Sequence, residues 1–138
     1  MINFNLTKEK IKSEDLIAFE QELELSLPET YKAHMLQFNG GAPEKEYFKG
    51  VSVAHFNPIK NGRRTLEDVI KSLKDILPIN YLPFAYDPGG NQICMDLNDG
   101  ENYGKVYYVP MDMGDTNPEF LADSFTEFVN GLSLENSY

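Results

Sequence analysis

The sequence predicts an α+β fold in which helices pack on a mainly antiparallel sheet. Segments with helical spacing of apolar residues lie towards both ends of the chain, and β-rich segments and turns lie between them. The length of 138 residues and the hydrophobic content of 41% suit one core rather than two. We therefore expect residues 1–138 to form a single domain.

The first predicted helix begins at Ser13, whose hydroxyl can accept a hydrogen bond from an unpaired N–H group of the first turn. Glu14 and Asp15 follow, and acids are favourable at the positive end of a helix. The apolar stripe of this helix comprises Leu16, Phe19 and Leu23.

The second predicted helix begins at Pro28, where the missing N–H group costs nothing. Its apolar face comprises Tyr31, Met35 and Phe38. We expect Gly40 or Gly41 to end this helix, because glycine adopts a positive φ without strain.

A strand and a third helix are predicted next. β-Branched residues indicate a strand over residues 47–56. Thr65, with Asp68 three residues later, is typical of a helix start, and Pro78 is expected to close the helix. Its apolar stripe comprises Leu66, Val69, Ile70, Leu73 and Leu77.

An antiparallel hairpin follows the predicted turn at residues 87–90. Its strands are residues 91–97 and 105–109, joined by the polar loop 98–102. Alternation in the first strand points one set of side chains inward, namely Ile93, Met95 and Leu97. The opposite face carries the other set, namely Gln92, Cys94 and Asp96. Of these, Cys94 suits a small buried apolar side chain better than an activated thiolate.

The last predicted helix begins at Ser124, with Glu127 three residues later as in a capping box. Its apolar residues are Phe125, Phe128, Val129 and Leu132. The helices that carry Tyr31, Leu73 and Phe128 are expected to pack on the sheet, because each apolar stripe needs a partner surface.

The net charge of −10 is concentrated in the last third of the chain. Residues 1–86 carry 12 acids and 11 bases, whereas residues 87–138 carry 10 acids and one base, Lys105. This charge argues against nucleic acid as a ligand, because phosphate binding depends on basic side chains. Two interpretations of the acidity stay open: it keeps the protein in solution, or it attracts a basic partner.

The sequence also predicts where the protein works. It contains no apolar stretch long enough for a membrane span and no secretory signal pattern, so we expect a cytoplasmic protein with no membrane partner. Its single cysteine, Cys94, cannot form an internal disulfide, which agrees with a reducing compartment.

The residue types that could support catalysis have simpler explanations. His34 and His55 lack a second ligand at metal-binding spacing, and Cys94 has no adjacent base in sequence. Ser124 lacks a Gly-x-Ser-x-Gly elbow. The acidic loop 96–101 departs from the EF-hand register, since Gly100 stands where a ligand belongs. We predict no catalytic residue, no metal site and no cofactor.

Four groups of residues follow one another in a specific order between residues 27 and 128. They are LPETY at 27–31 with FNGG at 38–41, PFA at 83–85 with GGNQICMD at 89–96, YGKVYY at 103–108, and LADSFTEF at 121–128. Together they resemble the SUKH superfamily, which includes bacterial immunity proteins and yeast regulators of cell-wall synthesis. The chain departs from the commonest pattern in having no tryptophan and a long charged stretch at 44–64.

The resemblance implies an α+β domain whose members mostly bind proteins, many of them as toxin antidotes, and it implies no shared catalytic residues. We therefore expect a non-catalytic immunity protein that neutralises a protein toxin by direct binding. A basic nuclease toxin would suit the acidic last third. Two alternatives remain open, a regulatory or scaffold module and an unrecognised hydrolase. We expect a monomer or a weak homo-oligomer.

The predicted partner-binding residues combine acids of the hairpin region with neighbouring tyrosines. They are Asp87, Asp96, Asp99, Glu101, Tyr103 and Tyr108. We expect Asp96 to face outward and the four acids to share one rim, with the two tyrosines offering aromatic contact surface beside them.

Overall fold

The computed structural model describes residues 2–111 and 117–135. In this part of the chain it contains four helices, which are α1 (Ser13–Leu23), α2 (Glu29–Gln37), α3 (Leu66–Ser72) and α4 (Phe125–Asn130). The strands before α3 are β1 (Phe4–Asn5), β2 (Ala42–Pro43), β3 (Tyr47–Phe48), β4 (Val51–Ser52) and β5 (His55–Phe56). Those after it are β6 (Tyr81–Tyr86), β7 (Gln92–Asp96), β8 (Val106–Val109) and β9 (Glu119–Ala122).

The main sheet is antiparallel, with strand order β5-β6-β7-β8-β9. Strands β1 and β2 form one small ladder, and β3 and β4 form another. The predicted α+β class, with helices on a mainly antiparallel sheet, is confirmed. None of the described helices is both long enough and apolar enough to cross a membrane.

The core lies between the helices and one face of the main sheet. Phe84 of β6 is fully buried, and its ring lies 6.3 Å from Tyr31 of α2 and 5.6 Å from Phe128 of α4. The inward set predicted for β7 belongs to this core, namely Ile93, Met95 and Leu97. Helices α2 and α4 are thus held to the sheet by aromatic contacts.

Two of the four helix starts follow the sequence prediction closely. Thr65 Oγ1 accepts from the Asp68 N–H at 3.3 Å, and Ser124 Oγ accepts from the Glu127 N–H at 3.0 Å. Glu127 Oε2 accepts in return from the N–H of Asp123, the residue before the cap, at 3.0 Å. These local hydrogen bonds fix where α3 and α4 begin.

The prediction that Ser13 caps the first helix is wrong. Lys12 occupies the cap position, and its N–H donates to Asp15 Oδ2 at 2.8 Å, so Ser13 is the first helical residue. The Asp15 carboxylate thus bonds to the N–H group of the cap residue itself, whereas a capping hydroxyl would have accepted from an N–H group of the first turn.

Gly40 and Gly41 have positive φ, as predicted, but they do not close α2. The helix ends at Gln37, and Phe38 continues in extended backbone with φ −130°. Gly40 and Gly41, with φ 76° and 100°, instead turn the chain so that Gly41 pairs with Phe56 of β5. An added Cβ on Gly41 would lie 2.5 Å from the Asn5 carbonyl oxygen, so glycine is required for this close approach.

The prediction of a single strand over residues 47–56 is wrong, because this range contains the three short strands β3, β4 and β5. A two-residue turn at Lys49 and Gly50, both with positive φ, folds the segment into the β3–β4 hairpin. Residues 53 and 54 then leave the hairpin before β5 joins the main sheet. Glycine at the second turn position permits this hairpin, and it was the local signal against one continuous strand.

Helix α3 is shorter than predicted, and its apolar stripe is only partly buried. The helix ends at Ser72 rather than before Pro78. Leu66 and Val69 are buried, whereas Ile70 and Leu73 stay half-buried. The second half of the predicted stripe therefore lies beside the core instead of inside it.

Candidate protein-binding surface

The six predicted contact residues do not form one rim, because they lie at opposite ends of β7. Asp87 precedes β7 and bonds to Tyr108 of β8, whereas Asp99 and Glu101 lie in the loop that follows β7. The five-residue strand between them spans about 13 Å at roughly 3.3 Å per residue. The structure thus divides the set into two groups.

The group at the start of β7 holds the backbone together. The Asp87 carboxylate accepts from Gly89 N at 3.0 Å, Asn91 N at 2.8 Å, Asn91 Nδ2 at 3.1 Å and Tyr108 OH at 2.7 Å. Partial burial raises the pKa of Asp87, but these hydrogen bonds outweigh it and leave the pKa below its usual value. Burial, together with the bond to Asp87, raises the pKa of Tyr108. Both side chains are occupied in linking the β6–β7 turn to β8.

Asp96 does not face outward, so this part of the prediction is wrong. Its side chain is only 7% exposed, and Oδ1 accepts from Asn98 N at 2.8 Å and from Asn98 Nδ2 at 2.9 Å. An aspartate that bonds two residues ahead opens a turn, and here it opens the loop between β7 and β8. Asp96 is therefore a turn residue.

The face of β7 opposite the core is covered by aromatic side chains of the sheet itself. Tyr81 of β6, Tyr107 of β8 and Phe120 of β9 form a row with ring centroids 5.4 Å and 5.9 Å apart. Cys94 lies on this face, opposite Tyr107 in the register, and is fully buried. Large residues on the neighbouring strands thus shield the smaller ones on β7, and Cys94 is buried as expected of a small apolar side chain.

The group at the far end of β7 lies beside a groove that we call the acidic groove. Asp99 lines it together with Glu20 and Glu24 of the end of α1, and its volume is about 430 Å³. Of the described residues that line it, none is basic. Glu101 is exposed on the same loop, outside the lining. Three carboxylates from two distant parts of the sequence therefore meet at one concave surface.

Tyr103 holds the two walls of the acidic groove together. Its hydroxyl donates to the Ser26 carbonyl oxygen at 2.6 Å, which ties the β7–β8 loop to the loop after α1. Burial, reinforced by Glu20, raises the pKa of Tyr103, so the hydroxyl keeps the proton that this bond needs. The structure thus gives this predicted contact residue a positioning role at the groove.

Glu20 and Glu24 were missed from the sequence, although a signal was present. No basic residue stands in the last turn of α1, and acids at the negative end of a helix are electrostatically unfavourable. Glu20 offsets this cost by accepting from the Leu27 N–H at 2.8 Å and pairing with Lys32 at 3.5 Å. Glu24 is exposed at the helix end.

A second concavity, which we call the apolar cavity, adjoins the acidic groove. Its volume is about 490 Å³, and Leu25 and Asn80 line both concavities. Its walls include aliphatic side chains from α1, α3, the segment after α3 and β6, namely Leu23, Ile70, Leu73, Leu77 and Leu82. A concave apolar surface of this size is typical of binding sites.

Residues 10–131 match the SMI1 / KNR4 family (SUKH-1). This match covers most of the chain and includes both walls of the acidic groove. The chain belongs to this family. Its members are known to bind protein toxins, and the family is generally non-catalytic.

A curated relative of this SMI1 / KNR4 family member comes from Bacillus subtilis strain 168. It is described as an SPbeta prophage-derived uncharacterized protein, YokK, and is 33% identical over 79 residues. The aligned part covers 56% of this chain and 39% of the relative, so the chain spans well under half of the relative's length.

Burial disfavours the charged forms of one histidine and the cysteine of this SMI1 / KNR4 family member. His34 lies against the rings of Phe4, Phe56 and Phe125, and burial lowers its pKa to about 4. Burial raises the pKa of Cys94, so its thiol stays protonated. Among the described residues no three metal-binding side chains of histidine, cysteine, aspartate or glutamate come together.

Proposed function

We propose that this protein is an immunity protein that neutralises a toxin by binding it directly. The observation that carries the proposal is the acidic groove on a chain whose family binds protein toxins. Binding would place basic side chains of the toxin beside Glu24 and Asp99, since Glu20 is already paired with Lys32. The prophage-derived relative fits an immunity-type protein.

The toxin that best suits this surface is a basic nuclease. A nuclease must hold phosphates with lysine and arginine side chains, and an acidic groove competes for the same side chains. The net charge of −10 adds long-range attraction, which speeds the encounter with a basic partner. Neutralisation then needs no catalysis by the antidote, since occupying the substrate surface is sufficient.

If the protein is an antidote, we expect a gene beside its own to encode the toxin. The test is co-expression with the product of that neighbouring gene in a bacterial host. We expect the protein to restore growth, to co-purify with the toxin, and to inhibit the purified toxin in proportion to the amount bound. A folded protein that neither restores growth nor forms a complex with that toxin would refute the proposed function.

A further inference from the structure

The apolar cavity exposes aliphatic surface that the core does not use. Ile70 and Leu73 are half-buried on one wall, and Leu23 and Leu25 are half-buried on another. At its mouth Ile79 is 79% exposed. An exposed apolar surface of this kind marks an interaction site more often than an isolated exposed side chain does.

The charge next to the apolar cavity restricts what can occupy it. The two charged residues that line the apolar cavity itself, Lys74 and Asp75, are of opposite sign and offset each other. The excess charge beside the cavity is therefore that of the adjoining acidic groove, which Glu24 and Asp99 line. A ligand with a carboxylate or phosphate head group beside its apolar part would place like charges together. A second copy of this chain would bring another net charge of −10 against the first. A polypeptide with basic residues beside its apolar ones has the complementary pattern.

We propose that the apolar cavity and the acidic groove together bind one basic, amphipathic segment of the toxin. Aliphatic side chains of that segment enter the cavity beside Leu73 and Ile79, and its lysine or arginine side chains meet Glu24 and Asp99. The proposal rests on the proposed function, which it deepens by naming the chemistry of the recognised segment. The aliphatic anchors supply affinity, and the adjacent charges fix the direction of the segment.

Synthetic peptides test this chemistry on the full chain without the toxin. The probe is acetyl-KLLKKLLK-amide, and the controls are the same peptide with every lysine changed to glutamate, the same peptide with every leucine changed to serine, and decanoate. We expect the probe to bind at least tenfold more tightly than each control, and to shift the amide resonances of Ile70, Leu73 and Asp99. A probe that binds no more tightly than any one control overturns the proposal.

A pair of surface variants distinguishes binding at the apolar cavity from non-specific hydrophobic binding. Ile79→Ser removes an exposed side chain from the cavity mouth, and Leu134→Ser removes one that is 66% exposed outside both linings. We expect Ile79→Ser to weaken binding of both the probe and the toxin by about tenfold or more, and Leu134→Ser to leave both unchanged. Equal binding by the two variants overturns the proposal, as does a homodimer that Ile79→Ser abolishes in sedimentation.

Failure of this proposal is distinguishable from failure of the proposed function. If the toxin is neutralised equally well by the wild type and by Ile79→Ser, the toxin-binding function stands and the apolar anchor is wrong. If the probe binds as expected but the wild-type protein does not bind the neighbouring toxin, the recognition chemistry stands and the immunity role is wrong.

Discussion

Carboxylates that are alike in the sequence have different roles in the fold. Asp87 and Asp96 are bound within their own turns, whereas Glu24 and Asp99 line the acidic groove. Local sequence indicates the turn roles, because an aspartate two residues before Gly89 or Asn98 can accept a hydrogen bond from the N–H group of that residue. It does not indicate the groove, because α1 and the β7–β8 loop meet only in the tertiary structure.

His34 gives the stability of the protein a specific dependence on pH. Burial holds its pKa at about 4 in the folded chain, below the ordinary value of 6.5. Between pH 6.5 and pH 4 the unfolded chain binds a proton at His34 that the folded chain does not. The contribution of the neutral imidazole to the free energy of unfolding is therefore fully present above about pH 6.5 and is lost as the pH falls towards 4. From pH 7 to pH 5 this costs about 2 kcal/mol of the free energy of unfolding.

The measurement is urea unfolding of the wild type and of His34→Leu at pH 7 and pH 5. Between pH 7 and pH 5 the free energy of unfolding should fall by about 2 kcal/mol more for the wild type than for the variant, because the variant has no imidazole to protonate. Equal losses would show that His34 is not held neutral by the fold.

At the scale of elements, hydrogen bonds that close within four residues are predictable and pairings across the chain are not. The caps of α3 and α4 were predicted because Thr65 and Ser124 act on their own helices. Strand β6 was missed since it contains Pro83, which is unfavourable in a central strand. The ladder accommodates Pro83 through a register shift between Leu82 and Ala85.

Helix caps offer a matched test of this local reasoning. Thr65→Ala and Ser124→Ala each remove a side chain that accepts from a backbone N–H group, so each should lower the free energy of unfolding by about 1 kcal/mol. Ser13→Ala should change it by much less, because Asp15 performs the capping of α1. Denaturant unfolding of the three variants checks this order, and an equal loss for Ser13→Ala would contradict the assignment of the α1 start.

At the scale of the whole molecule, the fold class and family could be predicted, but the shape of the binding surface could not. Apolar periodicity and turn residues identify which segments are helices and strands. The acidic groove depends on where α1 ends relative to the β7–β8 loop, and the apolar cavity depends on Leu73 and Leu77 falling outside the core. Both are consequences of packing rather than of any local pattern.

The charge of the acidic groove can be reversed without harming the helix that carries it. Glu24→Lys places a base at the negative end of α1, which favours the helix, and Asp99→Lys changes an exposed loop residue. A matched control, Glu119→Lys with Glu135→Lys, makes the same change in net charge at exposed acids that line neither concavity. Any difference between the two double variants therefore reports position rather than total charge.

The most direct test of the account is the association of these two double variants with the neighbouring toxin, measured on a biosensor at low and high salt. We predict that the wild type and the Glu119→Lys, Glu135→Lys control bind with similar affinity, and that their association slows as salt rises. The Glu24→Lys, Asp99→Lys variant should bind at least tenfold more weakly at low salt and respond less to added salt. Binding of this folded variant with wild-type affinity and salt dependence would contradict a role for the acidic groove.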